Sequence, residues 1–437
     1  MRVLVIGSGA REHAIVRKLL SEGHEVLCAP GNAGIRQDCE CFAYNTETVM
    51  GLVTFAHGFR PDLTVVGPEN LLADGIVDAF QEAGRSIFGP NLRAAEIESS
   101  KHFCKTLLSR ANIPTARWHS SENFKEARWY LLHEHSLPVV IKANSLAAGK
   151  GVRICRNYPQ AEVVLDKFMK QRVLGEAGRR VVIEEFLEGR EMSFHVITDG
   201  TNAVPLLMAR DYKTVDDGDQ GPMTGGMGGY CPRTDVSPTM YSTIMERIVH
   251  PTLYALRAED ISFRGVLYFG LMITDAGPKV LEINARFGDP ETQLILPLLE
   301  TGLDELLLAA VDPLYYDLGK IPLTWRNQCT VGIVLTSPGY PDNSITGYEI
   351  VGLDQASTIP GINIFHAGTK QVDGKIVTNG GRVLTVVGMG DGYLEAKLRA
   401  DQAVAMIGFE GTIKDQPGYA HFRRDIAAEV IQPSPTT

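Results

Sequence analysis

Short apolar runs that close on glycine loops and alternate with helical spacing fill the start of the chain, and no other feature restricts its fold as strongly. Arg2–Gly7 is the first such run, and Ile15, Val16, Leu19 and Leu20 follow at helical spacing across Glu12–Glu22. Glu25–Ala29, Asp62–Val66 and Ser86–Phe88 repeat the pattern, the last two ending in Gly67-Pro68-Glu69 and Gly89-Pro90. Strands this short and apolar are buried on both faces, and intervening helices join them as right-handed parallel crossovers. The pattern predicts an α/β fold that opens on a parallel sheet. Ligands of such sheets sit at the carboxyl ends of the strands. The loops Gly7–Arg11, Pro30–Gly34 and Gly67–Asn70 should therefore face one crevice.

The chain has 437 residues, too many for one ordinary core, so about two to four domains are expected. From Ser100 the pattern changes. A helix over Lys101–Arg110 leads to a strand, Pro138–Ala143, which enters the loop Ser145–Gly151. Val181–Phe186 and Glu191–Thr198 read as strands, and Val266–Ile273 with Lys279–Ile283 as an antiparallel pair joined at Asp275-Ala276-Gly277-Pro278. Polarity rises around Pro322–Gln328, where a third region begins. Thr330–Thr336, Gly381–Val387 and a helix over Tyr393–Ile407 suggest a small mixed α/β cap. The expected domains are 1–100, 101–325 and 326–437, with no regular element over 432–437.

A net charge of −10 argues against a nucleic-acid binder, which normally carries a basic face. No stretch approaches the roughly 20 apolar residues of a membrane-spanning helix. The apolar run at Met1–Gly7 is short and ends in a glycine loop, not in a small-residue cleavage site. The seven cysteines are odd in number, scattered and without a C-x-x-C pair. Reduced thiols in a cytoplasm fit better than a disulfide framework or a zinc cage.

Five motifs carry chemistry. Gly7-Ser8-Gly9-Ala10-Arg11-Glu12 lacks the third glycine of the dinucleotide fingerprint, and no acidic residue ends the second strand. Its backbone amides still form an anion nest, to which Arg11 could add a charge; the bland reading is a plain strand–helix turn. Lys142 stands in the apolar run Val139–Ala143, where an unpaired ammonium is costly and an anion is expected. The following Ala147-Ala148-Gly149-Lys150-Gly151 is not a Walker A loop but could close over polyphosphate. Glu184-Glu185-Phe186-Leu187, with Glu191 beyond, reads in isolation as a solvated acidic turn whose backbone edge could pair with adenine. The sharpest pattern is Leu281-Glu282-Ile283-Asn284-Ala285-Arg286. Period-two alternation places Glu282, Asn284 and Arg286 on one strand face, with Leu281, Ile283 and Ala285 toward the core. A carboxylate and an amide oxygen suit a hard cation that completes its shell on phosphate, and Arg286 could stabilise charge on a transferring phosphoryl group. Finally, Gly221–Tyr230 holds five glycines in ten residues, which could fold closely around a small ligand.

Together these motifs resemble the ATP-grasp superfamily, and within it the glycinamide ribonucleotide synthetases. The likeness runs in order through VLVIGSGAREHA, APGNAG, VVGPE, SSKHFCK, VIKANSLAAGKGV, IEEFLEGREMSF, GPMTGGMGGY, LEINARFGDPETQ and FRRDIA. It implies an N-terminal Rossmann-like domain, a two-lobed ATP-grasp domain with a mobile lobe near 118–188, and a C-terminal cap. It also implies ATP-dependent joining of glycine to 5-phosphoribosylamine in purine synthesis, by a cytoplasmic monomer or weak dimer that binds neither nucleic acid nor membrane. By resemblance, Lys105, Lys142, Lys150 and Gly151 meet ATP phosphates, Glu184, Glu185 and Leu187 border adenine, and Glu191 binds ribose. Glu282 and Asn284 hold Mg²⁺ or Mn²⁺, and Arg286 is catalytic. Gly9, Arg11, Glu12, Asp211, Lys213, Gly225, Gly288 and Asp289, again with Arg286, place the amine and glycine. The chain departs from the family pattern at Asn144-Ser145, Tyr212 and Met223, positions expected near the substrates. Another carboxylate or amine, a silent paralogue, and a nicotinamide oxidoreductase are the competing readings. The intact Glu282–Arg286 strand opposes the second, and Glu12 opposes the third.

Overall fold

The computed structural model describes residues 1–134, 136–147, 149–232, 236–312 and 316–431. The expectation for 432–437 lies outside them, as does Ala148 of the glycine loop. The opening sheet is parallel throughout: β1 (Arg2–Gly7), β2 (Glu25–Pro30), β3 (Glu40–Cys41), β4 (Leu63–Val66) and β5 (Ile87–Phe88), in the order β3-β2-β1-β4-β5. Val3, Leu4 and Val5 are fully buried because helices cover both faces of the sheet. Helix α1 (Ala10–Ser21) follows β1 directly. Strand order turns back between β1 and β4, which places the Gly7 and Gly67 loops side by side at the switch point. Only β3 escapes the sequence pattern, being two residues long.

The central region holds two four-stranded antiparallel sheets among the described residues. One has the order Trp118–Ser121, Val181–Glu185, Val139–Ala143, Val152–Cys155, and the other Ala203–Pro205, Arg190–Thr198, Gly265–Thr274, Gly277–Asn284. The first packs under the helices Phe124–His133 and Tyr158–Leu165 through Ala127, Leu131, Ile141 and Ile183. The second packs under Lys101–Arg110 and His250–Ala258 through Leu108, Leu256, Phe194 and Phe269.

Two details differ from the sequence pattern. In the Gly265–Thr274 and Gly277–Asn284 hairpin, Gly270 pairs with Glu282 but Leu271 pairs with Val280, so Leu281 is bulged out of register. A bulge reverses the inward phase of a strand. Val280 and Ile283 are both buried, while Leu281 turns away from the core it was expected to join. Secondly, the glycine-rich stretch supplies a strand. Arg210–Asp211 and Gly228–Cys231 join Cys329–Thr336, Arg382–Gly390 and Ile362–His366 in one five-stranded sheet, under the helix Tyr393–Met406. A Cβ on Gly228 would lie 2.3 Å from the Gly332 carbonyl oxygen, and one on Gly229 1.9 Å from that of Arg210. These two glycines let strands approach each other, not a ligand. Among the described residues no helix is long and apolar enough to cross a membrane.

Candidate active site

Lys142 meets the anion its apolar strand calls for, and that anion is a side chain. Val140 pairs with Glu184 across adjacent strands, so Lys142, two residues on, shares the face of Glu184. Lys142 Nζ lies 3.0 Å from Glu184 Oε1, and Lys105 Nζ 2.9 Å from Glu184 Oε2. Glu184 is buried, not part of a solvated turn. Burial pushes its carboxyl up, but Lys105 and Lys142 more than offset this and hold it below the ordinary glutamate value. Lys142 also donates to the carbonyl of bulged Leu281 at 3.0 Å, and Lys105 to Thr115 Oγ1 at 2.7 Å. The bulge thus ties the first sheet to the strand that carries Glu282.

Across the cleft, Arg286 is held by two carboxylates. Its Nε lies 3.1 Å from Glu69 Oε2 and its Nη2 3.1 Å from Glu98 Oε1. Burial raises Glu69, while Arg286 and Arg11 pull it down to about 2. Arg11 is fixed in turn by Glu12 at 2.6 Å. Glu12 itself folds back to accept the Gly9 amide at 2.6 Å, and it is packed so closely that a Cβ on Gly67 would lie 1.9 Å from its Oε1. The carboxylate of Glu12 fills the anion nest of the first loop.

A cavity of about 590 Å³ lies between these groups. Of the residues singled out from sequence, Arg11, Lys105, Lys142, Gly151, Glu184, Glu185, Leu187, Glu191, Lys213, Gly225, Glu282, Asn284, Arg286 and Asp289 line it. Gly9, Glu12, Lys150, Asp211 and Gly288 do not. Asp211 stands behind Lys213, 2.6 Å from its Nζ, and burial pushes its carboxyl up against the pull of that ammonium. A larger hollow of about 840 Å³ beside Asp199, Arg257 and Arg264 contains none of the motif residues. Volume alone does not mark the site; the converging charges do.

Glu282 and Asn284 project from one strand into the smaller cavity, and Glu282 enters no ion pair among the described residues. Burial raises its carboxyl, yet Lys142, Lys213 and Lys101 keep it below the usual value, hence charged. An ionised carboxylate beside an amide oxygen, both facing a cavity, is a donor set of hard oxygens that fits Mg²⁺ or Mn²⁺.

Family models for phosphoribosylglycinamide synthetase match in succession: the N domain over 1–98, the ATP-grasp (A) domain over 99–292 and the C domain over 330–429. The chain belongs to the phosphoribosylglycinamide synthetase family. It is 45% identical to phosphoribosylamine–glycine ligase of Caldanaerobacter subterraneus over 98% of this chain and 100% of that one. It is 43% identical to part of the trifunctional purine biosynthetic protein adenosine-3 of Gallus gallus, over 98% of this chain and 42% of that protein. The crystal structure of phosphoribosylamine–glycine ligase from Thermotoga maritima superposes with a TM-score of 0.81 at 35% identity, covering 98% of this chain and 100% of that one. The biotin carboxylase domain of Hydrogenobacter thermophilus 2-oxoglutarate carboxylase shares the fold, with a TM-score of 0.70 at 17% identity over 94% and 90% of the two chains. As an ATP-grasp protein, the chain uses ATP with divalent metal ions.

Two of the departures from the family pattern lie away from the cavity. Tyr212 points opposite to Asp211 and Lys213; its hydroxyl accepts the Ala427 amide at 2.9 Å and donates to Glu429. The Asn144 carbonyl accepts the Lys101 amide at 3.0 Å and its Oδ1 accepts the His102 amide at 2.8 Å, holding the first turn of the Lys101–Arg110 helix. Met223 does line the cavity.

Sequence reading missed the contribution of the third region. Tyr340 and Arg382 reach the cavity, where Tyr340 Oη accepts the Gly225 amide at 3.1 Å and Arg382 Nη1 donates to the Gly225 carbonyl at 2.6 Å. Arg382 Nη2 also lies 3.3 Å from Asp289. It missed a buried polar cluster as well. Ser193 and Tyr268 donate to Glu291 Oε1 at 2.8 and 2.7 Å, and His195 stacks on Tyr268 at 4.3 Å. Burial lowers His195 to about 4, so its ring is neutral near pH 7. A glutamate three residues beyond Gly288 in a polar run was the available signal.

Proposed function

We propose that the chain joins glycine to 5-phospho-D-ribosylamine, forming glycinamide ribonucleotide with release of ADP and phosphate in purine biosynthesis. The observation that carries this reading is the arrangement of one cavity: the strand Gly277–Asn284 and the bend that follows it set Glu282, Asn284 and Arg286 opposite Lys105 and Lys142. A carboxylate is a poor acylating agent. Transfer of the γ-phosphoryl from ATP to the glycine carboxylate oxygen gives glycyl phosphate and ADP. The amine nitrogen then attacks the carbonyl carbon, the C–O bond to phosphate breaks, and the nitrogen loses its proton.

Positioning and charge neutralisation carry most of such a reaction. Lys105 and Lys142, spaced by Glu184, meet the nucleotide phosphates; the Glu184–Leu187 edge borders adenine and Glu191 the ribose. Glu282 and Asn284 hold Mg²⁺ or Mn²⁺, which when bound neutralises phosphate charge. Arg286, oriented by Glu69 and Glu98, faces the charge that develops on the acceptor. Arg11, Lys213, Gly225 and Asp289 place glycine and the amine, with Glu12 and Asp211 acting from behind as holders of Arg11 and Lys213. Lys150 closes from the rim. The reading takes 1–100, 101–325 and 326–437 as domains, with 118–188 as the moving lobe, in a cytoplasmic monomer or weak dimer.

The test is ADP release with ATP, phosphoribosylamine and a panel of amino acids. Turnover that depends on glycine is expected; turnover with another amino acid alone overturns glycine as the substrate. Glu282→Ala should reduce the rate by at least roughly 100-fold, since it removes charge stabilisation at the transferred group, while circular dichroism stays that of the parent. An unchanged rate removes Glu282 from the metal site.

A further inference from the structure

Three free thiols gather at the open edge of the first sheet. Cys28 on β2 pairs directly with Cys41 on β3, so the two side chains leave the same face of the sheet. Cys39 follows the helical turn Ile35–Asp38 and stands just before β3. Cys41 is half-buried on the edge strand, whereas Cys28 behind it has no exposed surface. Paired residues of adjacent strands stand about 4.8 Å apart, well inside the roughly 4.4–6.8 Å between Cα atoms that a disulfide spans. Cys39 and Cys41, two residues apart on extended backbone, stand about 6.6 Å apart, close to the upper limit.

The surroundings single out Cys41 among the three. A Cβ on Gly31 would lie 2.4 Å from Cys41 Sγ, so the sulfur rests on the backbone of the turn after β2. Arg36 donates to the carbonyls of Cys41 and Pro30, each at 3.4 Å, which brings a guanidinium beside the thiol. The one Cys28 S–H faces both Cys41 and the Gly7 carbonyl oxygen, the latter at 3.4 Å. Hydrogen bonds from the Cys28 and Cys39 thiols, helped by the Arg36 charge, hold Cys41 down to about 4 against the effect of burial. The same sharing pushes Cys28 and Cys39 up. A half-exposed thiolate flanked by a cation is the nucleophilic form of cysteine.

We propose that Cys41 is a modification site for hydroperoxides, and that Cys28 resolves the oxidised sulfur into a Cys28–Cys41 disulfide. In the first step the Cys41 sulfur attacks a peroxide oxygen and the O–O bond breaks. Cys41 becomes a sulfenic acid, and the departing oxygen takes a proton from solvent to leave as water or an alcohol. In the second step the Cys28 sulfur attacks Cys41, its proton leaves with the displaced hydroxyl as water, and the S–S bond forms. The two sulfurs give up two electrons, which reduce the peroxide. The bond fastens the edge strand to β2. It also removes the S–H from the Gly7 carbonyl, at the head of the loop that carries Arg11.

The experiment uses the full-length protein, reduced and then freed of reductant. At about pH 6, iodoacetamide should alkylate Cys41 at least about tenfold faster than Cys329, a half-buried thiol that burial pushes up. A second sample is treated with stoichiometric hydrogen peroxide and quenched with N-ethylmaleimide. Digestion after Arg36 and Glu40 then separates the three cysteines for mass spectrometry. The Cys28 and Cys41 peptides should be joined by a link that reduction removes. Cys39→Ser should keep the link and Cys41→Ser should lose it. Cys28→Ser should leave a sulfenic acid on Cys41 that dimedone captures. Cys28 is buried, so Cys28→Ala is run beside it; should neither variant fold, the peptide map of the parent still decides. Equal alkylation of Cys41 and Cys329 overturns the proposal. So does a link that persists in Cys41→Ser, a Cys39–Cys41 link in place of the expected one, or no link in the parent.

Discussion

At the scale of single residues, the site is an exercise in placing charges that would be intolerable alone. Glu184 is the clearest case, since its two oxygens separate two buried ammoniums. Removing one partner of a buried ionic cluster costs about 3–5 kcal/mol, because the remaining charge is left desolvated and unmatched. Glu184→Gln keeps the shape and removes the charge. Its thermal midpoint should fall by roughly 5–10 °C, and saturating ATP should restore part of the loss, because phosphate then supplies the missing anion. A midpoint within about 1 °C of the parent, measured by calorimetry, would show that the lysines do not need this counter-charge. The same logic separates Glu12 and Asp211 from the residues they serve. Each carboxylate is spent on a neighbouring cation, and it is the cation that lines the cavity.

At the scale of elements, the same glycine type serves two purposes that one substitution each can tell apart. Gly229 is pressed against the Arg210 carbonyl of the adjacent strand, a backbone atom that cannot move aside. Gly229→Ala should cost more than about 3 kcal/mol and lower soluble yield sharply. Gly149, at φ +76° with nothing within 4 Å of an added Cβ, meets only conformational strain, and Gly149→Ala should cost about 1–2 kcal/mol. Parallel melting curves of the two proteins check the ranking, and the reverse order would refute the strand-packing role. Elements also differ in how plainly the amino-acid sequence discloses them. The opening sheet is legible because strands buried on both faces are apolar throughout, and Glu282 and Asn284 because polar residues at period two betray a half-open face. Arg286, expected on the same strand, lies in the bend beyond its end. The bulge at Leu281 is not, since it is defined by register against Gly270 and Leu271 and leaves no local mark. The strand at Gly228–Cys231 is hidden in a glycine run without alternation, its partner some hundred residues onward. Tyr340 and Arg382 are illegible for the same reason, because only that shared sheet brings them to Gly225.

At the scale of the whole molecule, the first and last regions meet through two buried histidines. His13 lies on α1 and His366 on the Ile362–His366 strand, with ring centroids 5.7 Å apart. The His366 amide donates to His13 Nδ1 at 2.8 Å, while His13 Nε2 faces Asp38 at 2.7 Å, which assigns the neutral Nε2–H tautomer. Asn32 crosses the same seam, donating to the Ser8 and His366 carbonyls. Burial lowers both histidines, His366 to about 3, with His13 adding to the shift in His366. For a base held below its unfolded value of 6.5, the stabilising preference for the neutral form is complete above that pH. It is lost as pH falls, because the unfolded chain takes up protons that the folded seam refuses until about pH 3. Each tenfold change in proton affinity corresponds to about 1.4 kcal/mol. Acidification from pH 7.5 to 5 should therefore lower the thermal midpoint by roughly 5 °C or more. His366→Asn, which keeps the backbone donor and removes the ring, should flatten that dependence while leaving the midpoint's response to ATP in place. If the variant and the parent lose stability in parallel between pH 7 and 5, the seam is not where the protons act.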